Sequence, residues 1–204
     1  MSLARRKTAP RAWQRMLSGR RLDLLDPSPF DIEIEDIAHG LARVARWNGQ
    51  TSGAHIFSVA QHSLMVEAIA RTLEPDLNNA DALAVLLHDA AEYVIGDMIS
   101  PFKAVMGGEY KAVEKRIQAA VHLHFGLKPN LGPGLKARIK AADTVSAYFE
   151  AVRLAGFTVE EARRFFGTPP AAYAAPDCFA DLDPMPADAA KRAYLERFGA
   201  LHGG

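Results

Sequence analysis

An all-α fold is what this sequence predicts, on three observations. Apolar residues recur at spacings of three and four in segment after segment, the period of a helix with one buried stripe. Two of these segments open with capping boxes, Ser58 with Gln61 and Thr158 with Glu161, which satisfy the free amides of a first helical turn. No stretch alternates apolar and polar residues over the length of a strand, and no internal repeat is present.

The helices follow in order. Ile34, Ile37, Leu41 and Val44 make the first stripe. Ser58 caps a second helix that starts at Val59 and turns Val59, Val66, Ile69 and Leu73 inward. A third is expected from Asn79 to Ile95, stopping at Gly96, because glycine accepts the left-handed conformation of a helix end. A fourth spans residues 108–125 with Tyr110, Val113, Ile117 and Val121 in register; the Gly107-Gly108 pair before it reads as a turn, lacking the pattern of a phosphate loop. A fifth extends from Leu135 to Leu154, and a short sixth follows the Thr158 cap. The last covers residues 187–198, with Tyr194, Leu195 and Phe198 inward and Gly199 after it.

Composition sets the frame. The 204 residues fit one domain with extensions: a basic N-terminal arm (1–25), a core (26–166) and a C-terminal extension (167–204) that begins with a loop rich in Pro, Ala and Asp. The 24 basic and 24 acidic side chains cancel, which argues against a broad phosphate-tracking surface and against a nucleic-acid polymer as partner. The arm carries Arg5, Arg6, Lys7, Arg11, Arg15, Arg20 and Arg21 and no acid before Asp23. It has no long apolar stretch, so it is not a secretory signal; a solvated arm packing one aromatic anchor is expected. Asp26-Pro-Ser-Pro-Phe30 is a turn between arm and core. Cys178 is the only cysteine and no apolar run reaches the roughly 18 residues of a membrane span. A cytoplasmic protein without membrane contact is the expectation.

Chemistry is carried by polar residues that interrupt apolar stripes. His88, Asp89 and Glu92 sit in a third segment that is otherwise almost wholly apolar. A buried carboxylate without a partner costs several kcal/mol, so such groups are paired or bound to metal. His62 takes the buried-stripe position between Val59 and Val66, where a histidine satisfied by a carbonyl is the alternative. Asp143 follows Ala141 and Ala142 beside the stripe of Leu135, Ile139, Ala142 and Phe149. Two imidazoles and two carboxylates without a thiolate make a set suited to one divalent ion: Mn, Co, Fe, Ni, Zn or Mg. His39 is expected on a helix surface, and His122 and His124, two apart, face different ways.

The order of these residues resembles the HD-domain metal-dependent phosphohydrolases, and within them the bacterial 5'-deoxynucleotidase branch. Val59-Ala60-Gln61-His62-Ser63 resembles that branch's "VAEHS" helix start, with Gln in place of Glu. The run from His88 to Asp97 is similar to its "HDxxExxxGD" block, with Pro101 and Lys103 in the place of "TPxK". Arg46-Trp47 resembles its substrate-pocket Arg-Trp pair, and Ala142-Asp143 its last ligand. The resemblance covers residues 34–152 and implies an HD-domain helical bundle with the metal site between core helices. It implies His62, His88, Asp89 and Asp143 as ligands of one divalent ion, and Glu92 as general base or as acceptor for a ligand histidine. Asp97 would protonate the leaving oxygen, order the water or cap the next turn. Arg46 and Lys103 would meet phosphate, and Trp47 the sugar or base, unless they are a surface cation, a surface lysine and a core aromatic. His55, in the loop before Ser58, is a pocket-lining candidate.

The implied activity is hydrolysis of a small nucleotide, a (deoxy)nucleoside 5'-monophosphate first. The rivals are a triphosphohydrolase releasing triphosphate from a deoxynucleoside triphosphate, and a nucleotide-sensing protein without turnover. Alarmone hydrolases differ in carrying a Glu-Asp pair where Glu92-Tyr93 stands, and the Gly-Tyr-Pro tripeptide of one cyclic-dinucleotide phosphodiesterase subclass is absent. A homodimer is implied by family similarity alone.

Overall fold

The computed structural model describes residues 11–99, 108–175 and 178–203. Its helices are α1 (Ile34–Leu41), α2 (Val59–Leu73), α3 (Asn79–Leu86), α4 (Glu92–Ile95), α5 (Gly108–His124), α6 (Pro133–Arg153), α7 (Val159–Phe166) and α8 (Ala187–His202). The chain is an all-α bundle of the HD type. Helix α2 is its axis: it packs against α3, α6 and α8, while α1 packs on α4 and α8. Val59, Val66 and Ile69 are fully buried there, as the stripe predicts, and so is His62.

Local chemistry sets the helix starts. The Ser58 hydroxyl accepts from the Gln61 amide, the Asn78 side chain accepts from the Asp81 amide, and Thr158 with Glu161 forms the full reciprocal box. The box at Ser58 is only half made, because the Gln61 side chain points elsewhere. Its Nε2 donates to the Asp183 carbonyl at 2.7 Å and its Oε1 accepts from the Met185 amide at 3.0 Å. An amide has both a donor and an acceptor, so it can pair with extended backbone on both sides. A glutamate could not make both bonds, which accounts for Gln at this position.

The C-terminal extension is thereby strapped over the start of α2, with Pro184 resting where a Cβ on Gly53 would come within 2.9 Å. Helix α8 is pinned to α2 by Arg197, whose guanidinium bonds the buried Glu67 at 2.8 and 2.6 Å. It runs through Gly199 to His202, past the expected stop, since the buried contacts of Phe198 and Leu201 outweigh the glycine's helix penalty.

Two further expectations are corrected. The described part of the arm forms a hairpin, which was not expected: β1 (Trp13–Arg15) pairs antiparallel with β2 (Arg21–Asp23), turning through Gly19 at φ 90°. Its anchor is Leu22, fully buried, rather than Trp13, which is half-buried among the guanidinium groups of Arg11, Arg15 and Arg21 at 4.7, 5.6 and 4.6 Å. The Asp36 carboxylate on α1 holds the turn by accepting from the Ser18 amide and hydroxyl at 2.9 and 2.5 Å.

The second correction concerns the third helix, which does not run unbroken to Ile95. After Leu86 the chain makes tight turns whose amides bond three residues back: His88 to Val85, Ala90 to Leu87, and Glu92 to Asp89, at 3.0–3.1 Å. Helix α4 then resumes for one turn and ends at Gly96, φ 79°. The side chain of Gln118 on α5 fills the break, donating to the Leu87 carbonyl at 2.6 Å and accepting from the Ala91 amide at 3.1 Å.

Candidate metal centre

The break in the third helix sets the directions of His88 and Asp89. In a continuous helix the two would diverge by about 100°, given 3.6 residues per turn. In the tight turn the Nε2 of His88 lies 3.2 Å from Oδ2 of Asp89. The His88 Nδ1 donates to the Val85 carbonyl at 2.9 Å, which leaves Nε2 as the free lone pair. Tyr194 braces the same region from α8, its hydroxyl donating to the Leu86 carbonyl at 3.3 Å.

His62 comes to this point from α2 and Asp143 from α6. The Nε2 of His62 is 3.6 Å from Oδ2 of Asp89 and 3.5 Å from Oδ1 of Asp143. One donor atom each from His62, His88 and Asp143 lie within 4.8 Å of one another. Atoms bound to one first-row ion at about 2.0–2.2 Å stand about 3–4 Å apart, so the separations suit a shared ion. The Nε2 atoms of both histidines are buried and have no hydrogen-bond partner. Buried polar atoms are rarely left so, and two aimed at two carboxylates are what a cation would satisfy. Lys140 pairs with the outer oxygen of Asp143, Oδ2, at 2.9 Å, leaving Oδ1 towards the cluster.

Behind His62 stands a residue that sequence reasoning missed. Glu150, on α6 and fully buried, takes Nδ1 of His62 on Oε1 at 2.5 Å. The Ser146 hydroxyl donates to the same oxygen at 2.7 Å. Its Oε2 accepts from the Trp47 indole at 2.8 Å and from Nε and Nη2 of Arg46, both at 3.3 Å. Arg46 also reaches Oδ2 of Asp97 at 3.3 Å. The pair Arg46-Trp47 is delivered by a strained turn: Trp47 and Asn48 hold φ of 57° and 52°, left-handed values uncommon outside glycine. A signal for Glu150 exists in the sequence, since it sits among Ala142, Ser146 and Phe149 on the buried face of α6, as His62 interrupts that of α2.

The electrostatics follow from this packing. Burial and the Arg46 charge both disfavour a proton on His62, yet Glu150 and Asp89 outweigh them and push its pKa up to about 10. Burial would raise Glu150, but the charges of Arg46 and His62 and its hydrogen bonds hold it well below the usual carboxylate range. Asp89 is likewise held low against burial by both histidines. A divalent ion bound here would therefore compete with a proton for Nε2 of His62.

The other expected site residues fall as follows. Glu92 opens α4 with its side chain buried, 2% exposed. Asp97 follows the Gly96 turn with its side chain 6% exposed, held by Arg46. Trp47 is half-buried against Phe157, ring centres 5.6 Å apart. His55 is exposed on the loop before α2. Pro101 and Lys103 lie outside the described residues. His39 is half-buried, and His122 is buried beside Gln118 while His124 is exposed.

The profile of the family described as 5'-deoxynucleotidase YfbR-like matches residues 36–156, more than half of the chain and all four convergent side chains. This chain belongs to that family. The YfbR-like core thus runs from α1 to the end of α6, and the hairpin, α7 and α8 lie outside the match. An uncharacterized protein of Rhodobacter capsulatus is 62% identical over 159 residues, covering 78% of this chain and 81% of that protein. The uncharacterized protein YfdR of Escherichia coli K12 is 32% identical over 106 residues, 52% of this chain and 54% of that one. The 5'-deoxynucleotidase YfbR of Salmonella typhi is 32% identical over 116 residues, 46% of this chain and 58% of that one. This chain therefore spans little more than half the length of these last two relatives. Among the described residues of this YfbR-like protein, no helix is long and apolar enough to cross a membrane.

Proposed function

We propose that this protein is a divalent-metal-dependent phosphohydrolase acting on a small nucleotide, with a deoxynucleoside 5'-monophosphate as its substrate. One observation carries the metal dependence: two buried imidazole nitrogens without hydrogen-bond partners converge on the carboxylates of Asp89 and Asp143. The substrate class rests on membership of the YfbR-like family and on the similarity to the Salmonella protein named a 5'-deoxynucleotidase.

His62, His88, Asp89 and Asp143 would hold the ion. When bound, it supplies Lewis-acid polarisation of a phosphoryl oxygen and makes water a better nucleophile at neutral pH. Glu92, buried at the start of α4, takes the proton of the attacking water as general base, and as the bond from phosphorus to the 5' oxygen breaks that proton passes to the leaving oxygen to release the nucleoside. Asp97, already an acceptor for Arg46, orders the water by accepting its hydrogen bond. Three of the five N–H groups of Arg46 go to Glu150 and Asp97, leaving two for a phosphate oxygen. Trp47 packs on the sugar or base, His55 borders the mouth and Lys103 meets the phosphate. The substrate is a mononucleotide rather than a nucleic-acid polymer, the protein works in the cytoplasm, and two copies pair.

The test is product analysis with Mn or Co, offering dAMP and dATP side by side. Orthophosphate with deoxyadenosine from dAMP is expected. Intact triphosphate with deoxyadenosine from dATP would make the protein a triphosphohydrolase instead. Asp89→Ala is expected to lose both the bound ion and turnover; wild type that holds no ion overturns the reading. Light scattering checks the pairing.

A further inference from the structure

We propose that Glu150 is the positioning residue of the metal centre: through Nδ1 of His62 it fixes the tautomer and ring orientation that present Nε2 to the ion. The inference rests on the metal-dependent reading above and adds a residue which that reading does not use.

The geometry is one-sided in a way that packing alone does not require. Oε1 of Glu150 takes His62 and Ser146, and Oε2 takes Trp47 and the Nε–Nη2 edge of Arg46, so each oxygen has two or more donors that hold the carboxylate in place. With Nδ1 committed as donor, the lone pair of a neutral His62 must reside on Nε2, the atom left without a partner. His88 reaches the same state by a different route, since its Nδ1 donates to a backbone carbonyl. A carbonyl is neutral, whereas Glu150 is a carboxylate, so of the two histidines only His62 is oriented by a charged side chain. Carboxylates behind ligating histidines raise ligand basicity and fix orientation, and their loss costs about 10–100-fold in metal affinity.

Glu150 also explains the strained turn. The left-handed turn at Trp47 and Asn48 carries Arg46 and the Trp47 indole to one oxygen of Glu150. Arg46 then continues to Asp97, so Glu150 and Asp97 share one cation.

The experiment compares wild type with Glu150→Gln, which keeps the shape and an acceptor but removes the charge. Affinity for Co is measured by titration, and the visible absorption of bound Co reports the ligand field. The expected result is an affinity lower by about 10-fold or more together with a shifted Co band, while circular dichroism stays native. Affinity within twofold of wild type and an unchanged band would overturn the inference. If E150Q does not fold, Ser146→Ala removes one hydrogen bond to the same oxygen and is expected to weaken Co by about 3-fold with the fold kept. An S146A protein that binds Co like wild type then refutes it. Should wild type itself bind no Co, the parent reading fails rather than this one.

Discussion

Arg46 is a cation shared by two buried acids, and replacing it with the shorter, neutral Met tests what that charge contributes. Its side chain is 14% exposed and faces Glu150, 0% exposed, and Asp97, 6% exposed. Removing one partner of a buried pair leaves an uncompensated charge and costs about 3–5 kcal/mol. Against the roughly 5–15 kcal/mol of a whole domain, that is a large fraction. For a chain of this length each kcal/mol moves Tm by about 2–4 °C, so a fall of about 6–20 °C is expected. The loss should also depend on pH. Without Arg46, Glu150 loses the stronger of its two cationic partners and keeps His62, so burial moves it towards its protonated form and Arg46→Met is penalised less at pH 5 than at pH 8. Removing the other charge as well, in the Arg46→Met, Glu150→Gln double variant, should recover about 2 kcal/mol relative to R46M alone. Urea denaturation with EDTA present measures all three proteins without compensation by an ion. An R46M protein within about 1 kcal/mol of wild type, or a double variant no more stable than R46M, would refute the reasoning.

Three more outcomes follow from the same geometry. In metal-free protein, His62 has a folded pKa of about 10 against an ordinary 6.5, so its contribution is full below pH 6.5 and lost as pH rises to about 10. Urea midpoints in EDTA should fall over that window, and saturating metal should flatten the profile because the ion displaces the proton; a profile insensitive to metal contradicts this. Gly40→Ala puts a Cβ 2.7 Å from the Tyr93 carbonyl, so α1 must move off α4 at a cost of about 1–3 kcal/mol, with kcat falling as Glu92 shifts. An unchanged Tm and kcat would show that the contact relaxes freely. Gln61→Glu sets an acceptor against the Asp183 carbonyl, now 2.7 Å away, and should loosen the C-terminal strap by about 1–3 kcal/mol. Limited proteolysis near residue 183 reads that directly, and an equal cleavage rate in the two proteins would remove the strap from the account.

Much of the centre is legible in the chain because burial leaves a one-dimensional trace. His62 between Val59 and Val66, and His88, Asp89 and Glu92 among Ala and Leu, contradict their stripes, and only a compensating partner makes such residues tolerable. Caps at Ser58 and Thr158 are equally local, since donor and acceptor lie within one turn. Glu150 obeys the same rule but went unrecognised, because the polar neighbours of Asp143 on α6 blur the stripe on which it sits. The hairpin escaped because each strand is three residues long, too short for alternation to show.

By itself, then, the sequence determined the helical class and most helix starts, and it singled out His62, His88 and Asp143, whose donor atoms lie within 4.8 Å of one another. These depend on periodicity and on interactions within a few residues. Tertiary structure alone decided that the third helix breaks at His88, because the amide that holds the break open belongs to Gln118 on another helix. It alone decided that Gln61 grips the Asp183–Met185 backbone, and which nitrogen of His62 is left free, since the carboxylate that takes the other lies 88 positions along the chain. Such pairings depend on how helices pack in space, and no periodicity along the chain encodes which distant donor meets which acceptor.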